Sequence, residues 1–356
     1  MGETQWVTLA MNDSNTKETR SNTSNQELTS GEPRLVESSP EDGFNYPYYL
    51  AVPETVTETK TSKHPVSSDY QHRPLLVEPH NVGEYIEEFD RHLELARQRI
   101  KKQTGRDIAQ KLETPILIPV FPRPFAEPVD WTHMIHMLCA QTMQIDEGPL
   151  KRVDQQLLAM IDDAQARLTD YGISVPEEVI LTGFSSQANF VNRFAALHPD
   201  RVCSVSAGGI NGLAILPRET AHVRGLGKRP MNYPVGVANI EDLTGEPFDY
   251  DAFCDVNQFI YMGSEDDKDA LLYPDAWTDP ELRGIALLTY GEDIHDERFP
   301  HCKDVYEEAD ANAVFRIYDG VGHSPGPALD DIVEFHKRSL AGDDIRSIRE
   351  DLAGNV

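Results

Sequence analysis

The sequence predicts an α/β fold: a mostly parallel central sheet with helices on both faces. Three observations carry this. Short apolar runs alternate with amphipathic helical stretches from residue 43 to residue 340. The apolar runs end in Gly, Pro or acidic turns and read as strands buried on both sides. No internal repeat interrupts the alternation.

The elements follow in order. Residues 1–42 are polar and nearly free of aromatics, and the expectation is a disordered tail. "GFNYPYYLAVPE" is the first strand, with an aromatic, alternating pattern. Thr55 to Asp69 reads as a hairpin loop, and "RPLLVEPHNVG" as a second strand ending in turn residues. Residues 84–103 carry helical periodicity, with Tyr85, Phe89, His92, Leu93, Ala96 and Ile100 on one face. "ETPILIPVFPRP" is the third strand and runs into a proline-rich loop.

Residues 153–171 form an amphipathic helix striped by Val153, Leu157, Leu158, Ile161, Ala164 and Leu168. A strand over 178–182, a turn, and a helix over 187–197 follow, and then the strand "RVCSVSAGG". "NQFIYMGSEDD" and "AVFRIYDGVGHSPGP" are the last strands, and "ALDDIVEFHKRSL" is the closing helix. One domain is expected over 43–345, with a tail at 346–356. The irregular stretches 210–256 and 270–312 are expected to lie over the site and select the substrate.

Charge narrows the function. The chain has 60 acidic and 32 basic residues in 356, a net charge of −28. A phosphate backbone would be repelled, so nucleic acid is not an expected partner. The acidity is spread along the chain, which favours adaptation to high salt over a merely acidic protein. No apolar run approaches the roughly 20 residues that cross a bilayer, so no membrane is expected. The N-terminal segment lacks a basic stretch followed by an apolar one, and a cytoplasmic location is expected. Cys139, Cys203, Cys254 and Cys302 lack CxxC spacing and read as core residues or free thiols.

Three strand-end loops carry the chemistry. A serine hydroxyl needs a base within reach, an acid to orient that base, and donors for the oxyanion. In "VILTGFSSQANF", Gly183 stands two residues before Ser185, after a strand and before a helix. Ser185 is the candidate nucleophile; its rival reading is a cap on the next helix. "YDGVGHSPG" sets His323 in a glycine-flanked loop after a strand, where a base can reach over the sheet. "FIYMGSEDDKD" supplies Asp266 three residues past Gly263, with Asp267 and Asp269 as competitors. The three residue types occur in the order Ser, Asp, His, and together they point to a Ser185–Asp266–His323 triad.

These segments resemble the α/β-hydrolases, within them the esterase and polyhydroxybutyrate-depolymerase-like branch. The resemblance rests on "GFSSQANFVNRFAALHPDRVCSVSAGG", "YMGSEDD" and "YDGVGHSP", and spans about residues 43–340. It implies a serine hydrolase cleaving a carboxylic ester through an acyl-enzyme, without a cofactor. A peptidase on the same triad, or a hydrolase fold that only binds, are the alternatives.

The resemblance also implies two backbone oxyanion donors: Ser186, and a residue in the loop after the third strand, "PVFPRP". Its prolines have no N–H. Val120, Phe121 and Arg123 can donate there, and Phe121 is favoured. Arg123 is a candidate contact for an anionic part of a substrate, or else a surface arginine. Gln187 departs from G-x-S-x-G at its last position. It points into the site as a substrate contact, or marks a looser crossing of helix and strand.

Other signals are weak. His133 and His136 have the spacing of a metal pair but no completing ligand, so no metal is expected. Trp131 and Trp277 read as core or as pocket wall. Gly208-Gly209 is too short to cradle a phosphate, and no P-loop is present.

Overall fold

The structure, a computed structural model, describes residues 32–53, 73–83, 85–102 and 104–352. Eight strands form the central sheet, and a two-stranded hairpin stands apart. In chain order the strands are β1 (Arg34–Val36), β2 (Tyr48–Ala51), β3 (Leu76–Val77), β4 (Ile116–Pro119), β5 (Val179–Phe184), β6 (Val202–Gly208), the hairpin β7 (Thr220–Val223) and β8 (Gly227–Pro230), β9 (Asn257–Gly263) and β10 (Ala313–Tyr318). The sheet order is β1-β2-β4-β3-β5-β6-β9-β10. The β1–β2 and β2–β4 pairs are antiparallel, and the other neighbours are parallel.

Strands β4, β5, β6 and β9 are buried throughout or nearly so, because helices cover both faces, and β10 is buried over its first half. On one face lie α1 (Phe89–Lys102) and α2 (Thr104–Leu112), joined at the far end of the chain by further helices. Ala96, Ile100, Ile108 and Leu112 pack there against Ile116, Ile118 and Ile180. On the other face lie α3 (Val153–Asp170) and α4 (Ser186–Leu197). The α3 stripe of Val153, Leu157, Ile161, Ala164 and Leu168 is buried, as its 3.6-residue spacing requires. Next come α5 (Pro280–Tyr290) and α6 (Phe299–Glu308), and then α7 (Leu329–Ala341) and α8 (Ile345–Leu352), which rejoin the first face.

Several expectations change. Residues 34–36 do not belong to a tail: they pair with β2 as an edge strand, with Leu35 opposite Tyr49 and Val36 opposite Tyr48. Three residues are too few to display a strand period, so the segment reads as polar chain. Residues 345–352 are a helix rather than a tail, since Ile348 and Leu352 are buried in the core beside β10. The helical pattern over 84–103 becomes α1 from Phe89, and a second helix, α2, follows it. The expected tail at 1–31 and the expected loop at 55–69 lie outside the described residues.

Residues 210–256 hold the β7–β8 hairpin and two short helices. Leu213, Ile215, Leu216, Met231, Tyr233 and Val235 bury their side chains in the main core. Among the described residues, no helix is long and apolar enough to cross a membrane.

Candidate active site

Ser185 sits at the junction of β5 and α4 with φ 63° and ψ −129°. A non-glycine residue at positive φ is costly and persists only where its surroundings impose it. Here β6 imposes it: the Ser185 N–H donates to the Gly208 carbonyl at 2.9 Å. Gly183 makes the turn possible, because a methyl group there would lie 2.5 Å from the Gln187 carbonyl oxygen. The first turn of α4 therefore crosses directly over β5. Tight crossing depends on Gly183, and the Gln187 side chain is buried beside it.

Asp266 and His323 meet across the ends of β9 and β10. His323 Nδ1 lies 2.9 Å from Asp266 Oδ1 and 2.8 Å from Oδ2. The Asp266 carboxylate is buried, while the imidazole remains partly exposed. Asp266 Oδ1 also accepts the Lys268 N–H at 3.0 Å. The two loops are docked by backbone. Glu265 N–H donates to Val321 O at 2.9 Å, and Gly320 N–H to Ser264 Oγ at 2.9 Å. A methyl group on Gly263 would sit 2.0 Å from Val321 O, so only glycine permits this approach.

The competing carboxylates are occupied elsewhere. Asp267 faces solvent and pairs with Lys268 at 3.1 Å. Asp269 caps the Leu271 N–H and forms a buried ion pair with Arg298.

Ser185, Asp266 and His323 thus stand at the carboxyl ends of β5, β9 and β10, in a sheet that places β6 between the first two. No hydrogen bond joins Ser185 to His323 among the described residues. The Phe184 ring packs on the imidazole instead, with centroids 4.6 Å apart.

No protein-family model matches the sequence, and no curated protein matches it. Solved structures do. A poly(3-hydroxybutyrate) depolymerase from Bordetella parapertussis superposes with TM-score 0.52 at 16% identity, over 91% of this chain and 95% of that one. Poly(aspartic acid) hydrolase-1 from Sphingomonas sp. KT-1 superposes with TM-score 0.51 at 15% identity, over 86% of this chain and 98% of that one. The fold is that of the α/β-hydrolases.

The loop beside the Ser185 turn follows the strand that neighbours β5. That strand is β3, not β4. Counting β1 makes residues 116–119 the fourth strand, so the loop after the third strand is Glu78–Gly83 and not "PVFPRP". Phe121 follows β4, which β3 separates from β5. Its side chain is in the core, and its carbonyl accepts from His136 Nε2 at 2.8 Å. The Val120 N–H donates to Pro47 O at 3.0 Å, and the Arg123 N–H to His92 Nε2 at 3.4 Å.

Arg123 is buried, not a surface arginine. Its guanidinium donates to Val82 O at 2.6 Å and Trp131 O at 2.9 Å and lies over the Trp131 ring. Burial pushes its pKa down to about 10. These bonds spend Arg123 on shaping its loop.

In the 78–83 loop, the Glu78 N–H is bonded to Leu117 O at 3.1 Å, and Pro79 has none to offer. The N–H groups of His80, Asn81, Val82 and Gly83 have no acceptor among the described residues. The same is true of Ser186, whose N–H opens α4 and has no intrahelical partner.

A cavity of about 170 Å³ opens at Ser185, between Glu78, Asn81, Arg99, Thr104, Gln187 and Tyr261. Neither 210–256 nor 270–312 contributes to its wall. An open groove of about 720 Å³ runs over His80–Gly83 and α1 and shares Asn81 and Arg99 with that cavity. Part of that wall, Glu78 and Asn81, is drawn from the segment after β3, where the turn residues "EPHNVG" behind an apolar run are the available signal.

His136 belongs to a second cluster. His80, His92 and His136 are buried edge to face, with ring centroids 5.5 to 6.0 Å apart. Burial holds all three below the ordinary histidine range, His136 at about 3. Among the described residues, no group of three or more His, Cys, Asp or Glu is arranged to hold a metal ion.

Proposed function

We propose that the protein is a serine hydrolase that cleaves carboxylic esters through an acyl-enzyme. The observation that carries this reading is the Asp266–His323 pair at 2.8 Å, its imidazole packed on Phe184, the residue before a serine held at φ 63° on the strand-to-helix turn. Ser185 Oγ attacks the ester carbonyl as His323 Nε2 takes its proton. Asp266 accepts from Nδ1–H, which fixes the tautomer with Nε2 as the base. Collapse of the tetrahedral intermediate breaks the C–O bond, and His323 returns the proton to the leaving alcohol. Water repeats the sequence and frees the acid.

We assign one oxyanion donor to the Ser186 N–H and the second to His80 or Asn81. The absent Ser185–His323 bond is compatible with this chemistry, since such bonds tighten on substrate binding in many hydrolases. It also favours a second reading, a hydrolase fold that binds without turnover. One neighbour is named for hydrolysis of poly(aspartic acid), so amides belong in the substrate panel.

Hydrolysis of p-nitrophenyl esters and of matched anilides tests the reading. Turnover of the esters that disappears in Ser185→Ala supports it; turnover of anilides alone indicates a peptidase; none at all indicates a binding protein. We further propose a high-salt, reducing, cytoplasmic setting. The net charge of −28 and four cysteines without a disulfide support it.

A further inference from the structure

We propose that Gln187 and Arg99 form a brace that positions the Glu78–Asn81 loop against the Ser185 turn. This rests on the serine-hydrolase reading, because the brace acts on the oxyanion donor of that reaction. Gln187 stands in the first turn of α4, two residues from Ser185, and is buried. Its amide has both ends in use. Nε2 donates to the Pro79 carbonyl, and Oε1 accepts from Arg99 Nη1 at 3.0 Å. Arg99, on α1, then reaches the far side of the loop. Its Nη2 donates to Asn81 O at 3.1 Å, and its Nη1 lies 3.4 Å from Glu78 Oε1.

The consequence is geometric. A peptide unit is planar, with its C=O and N–H pointing opposite ways. Holding the Pro79 carbonyl fixes the Pro79–His80 plane, and with it the direction of the His80 N–H. Holding the Asn81 carbonyl pins the next corner of the same loop. The donors left free between these corners, His80 and Asn81 N–H, are the candidates for the second oxyanion position. One side chain of the nucleophile helix thereby sets the loop that completes the site.

Glycine at position 187 would leave Pro79 O and Arg99 without this partner. The departure from G-x-S-x-G is therefore the brace itself. The close crossing at Gly183 is made with glutamine, not glycine, at 187. Gln187 and Arg99 are positioning residues: they act through loop backbone.

The test compares full-length wild type, Gln187→Met, Arg99→Met and the double variant on a p-nitrophenyl ester. A trifluoromethyl ketone, which forms a tetrahedral adduct at Ser185, is the transition-state probe. We expect kcat to fall about 10- to 100-fold in Gln187→Met with KM within about 2-fold, a loss below that of a deleted oxyanion donor. The inhibition constant of the ketone should rise by the same factor as kcat/KM falls. The double variant should lose no more than the worse single variant, as expected of one unit.

A folded Gln187→Met with unchanged kcat overturns the brace, as does a rise in KM alone or a loss uncorrelated with ketone binding. If Gln187→Met does not fold, Arg99→Met and Arg99→Lys carry the same comparison. Lysine keeps the charge without the two-pronged reach, so an Arg99→Lys that matches wild type also overturns it. A wild type without Ser185-dependent turnover defeats the hydrolase reading itself, and the brace with it.

Discussion

His323 Nδ1 faces both carboxylate oxygens of Asp266, at 2.9 and 2.8 Å. A two-oxygen contact on a buried carboxylate fixes the ring plane as well as the tautomer. Asn at 266 keeps the shape but reverses one polar end, so the imidazole proton would move to Nε2 and the base of the proposed reaction would be lost. Asp266→Asn should lower kcat by about a thousand- to ten-thousand-fold with the fold intact. Asp267→Asn, on a solvent-facing residue, should leave kcat within about 2-fold. Equal losses in the two variants would misassign the acid; steady-state kinetics on one ester decides.

Gly183 marks the point where α4 crosses β5. An alanine methyl would lie 2.5 Å from the Gln187 carbonyl, in backbone that cannot swing away. Gly183→Ala should cost about 1–3 kcal/mol, the usual range for overpacking. It should also cost activity, because the helix that carries Ser186 and Gln187 must lift. Urea unfolding with circular dichroism measures the first and ester turnover the second. Wild-type stability would mean that the crossing is looser than the structure has it.

Buried histidines should make the fold acid-sensitive. Burial depresses the pKa of His136 and His336 from 6.5 to about 3 and lowers His80 and His92 as well. A depressed histidine stays neutral in the fold and takes a proton when the chain unfolds. Its contribution is intact above pH 6.5 and is lost as pH falls toward about 3. Each fully shifted histidine costs about 1.4 kcal/mol per pH unit in that window. Glu78, whose carboxyl burial pushes up, works in the opposite direction. Urea midpoints should therefore drop between pH 7 and pH 5.5, where ordinary carboxylates hardly titrate. Midpoints that stay level or rise contradict this.

The net charge of −28 predicts a salt response. At about 1 M salt the screening length falls to about 3 Å, and repulsion among surface carboxylates is largely removed. The thermal midpoint should rise between about 0.1 M and 2 M KCl. Full stability and activity in dilute buffer would remove the high-salt reading.

Much of the fold was legible because its signals are long or chemically narrow. The β5 run, the α3 stripe and the loops at Gly263 and Gly322 each combine a period with a turn residue. β1 was not: Arg34-Leu35-Val36 is too short to show a period. Without it the strand count shifts by one, and the sequence points to Phe121 rather than to the Glu78–Gly83 loop after the strand that neighbours β5. α8 hid for a similar reason, since only Ile348 and Leu352 carry its buried face. The contacts of Gln187 with Arg99 and Pro79 join residues 88 and 108 positions apart. No local pattern encodes them.

Labelling with a fluorophosphonate probe tests the central claim most directly, because the reagent requires an activated serine. The native protein should carry a single adduct, mapped by peptide mass spectrometry to Ser185 and absent from Ser185→Ala. No adduct on the native protein, or equal labelling after Ser185→Ala, would contradict it.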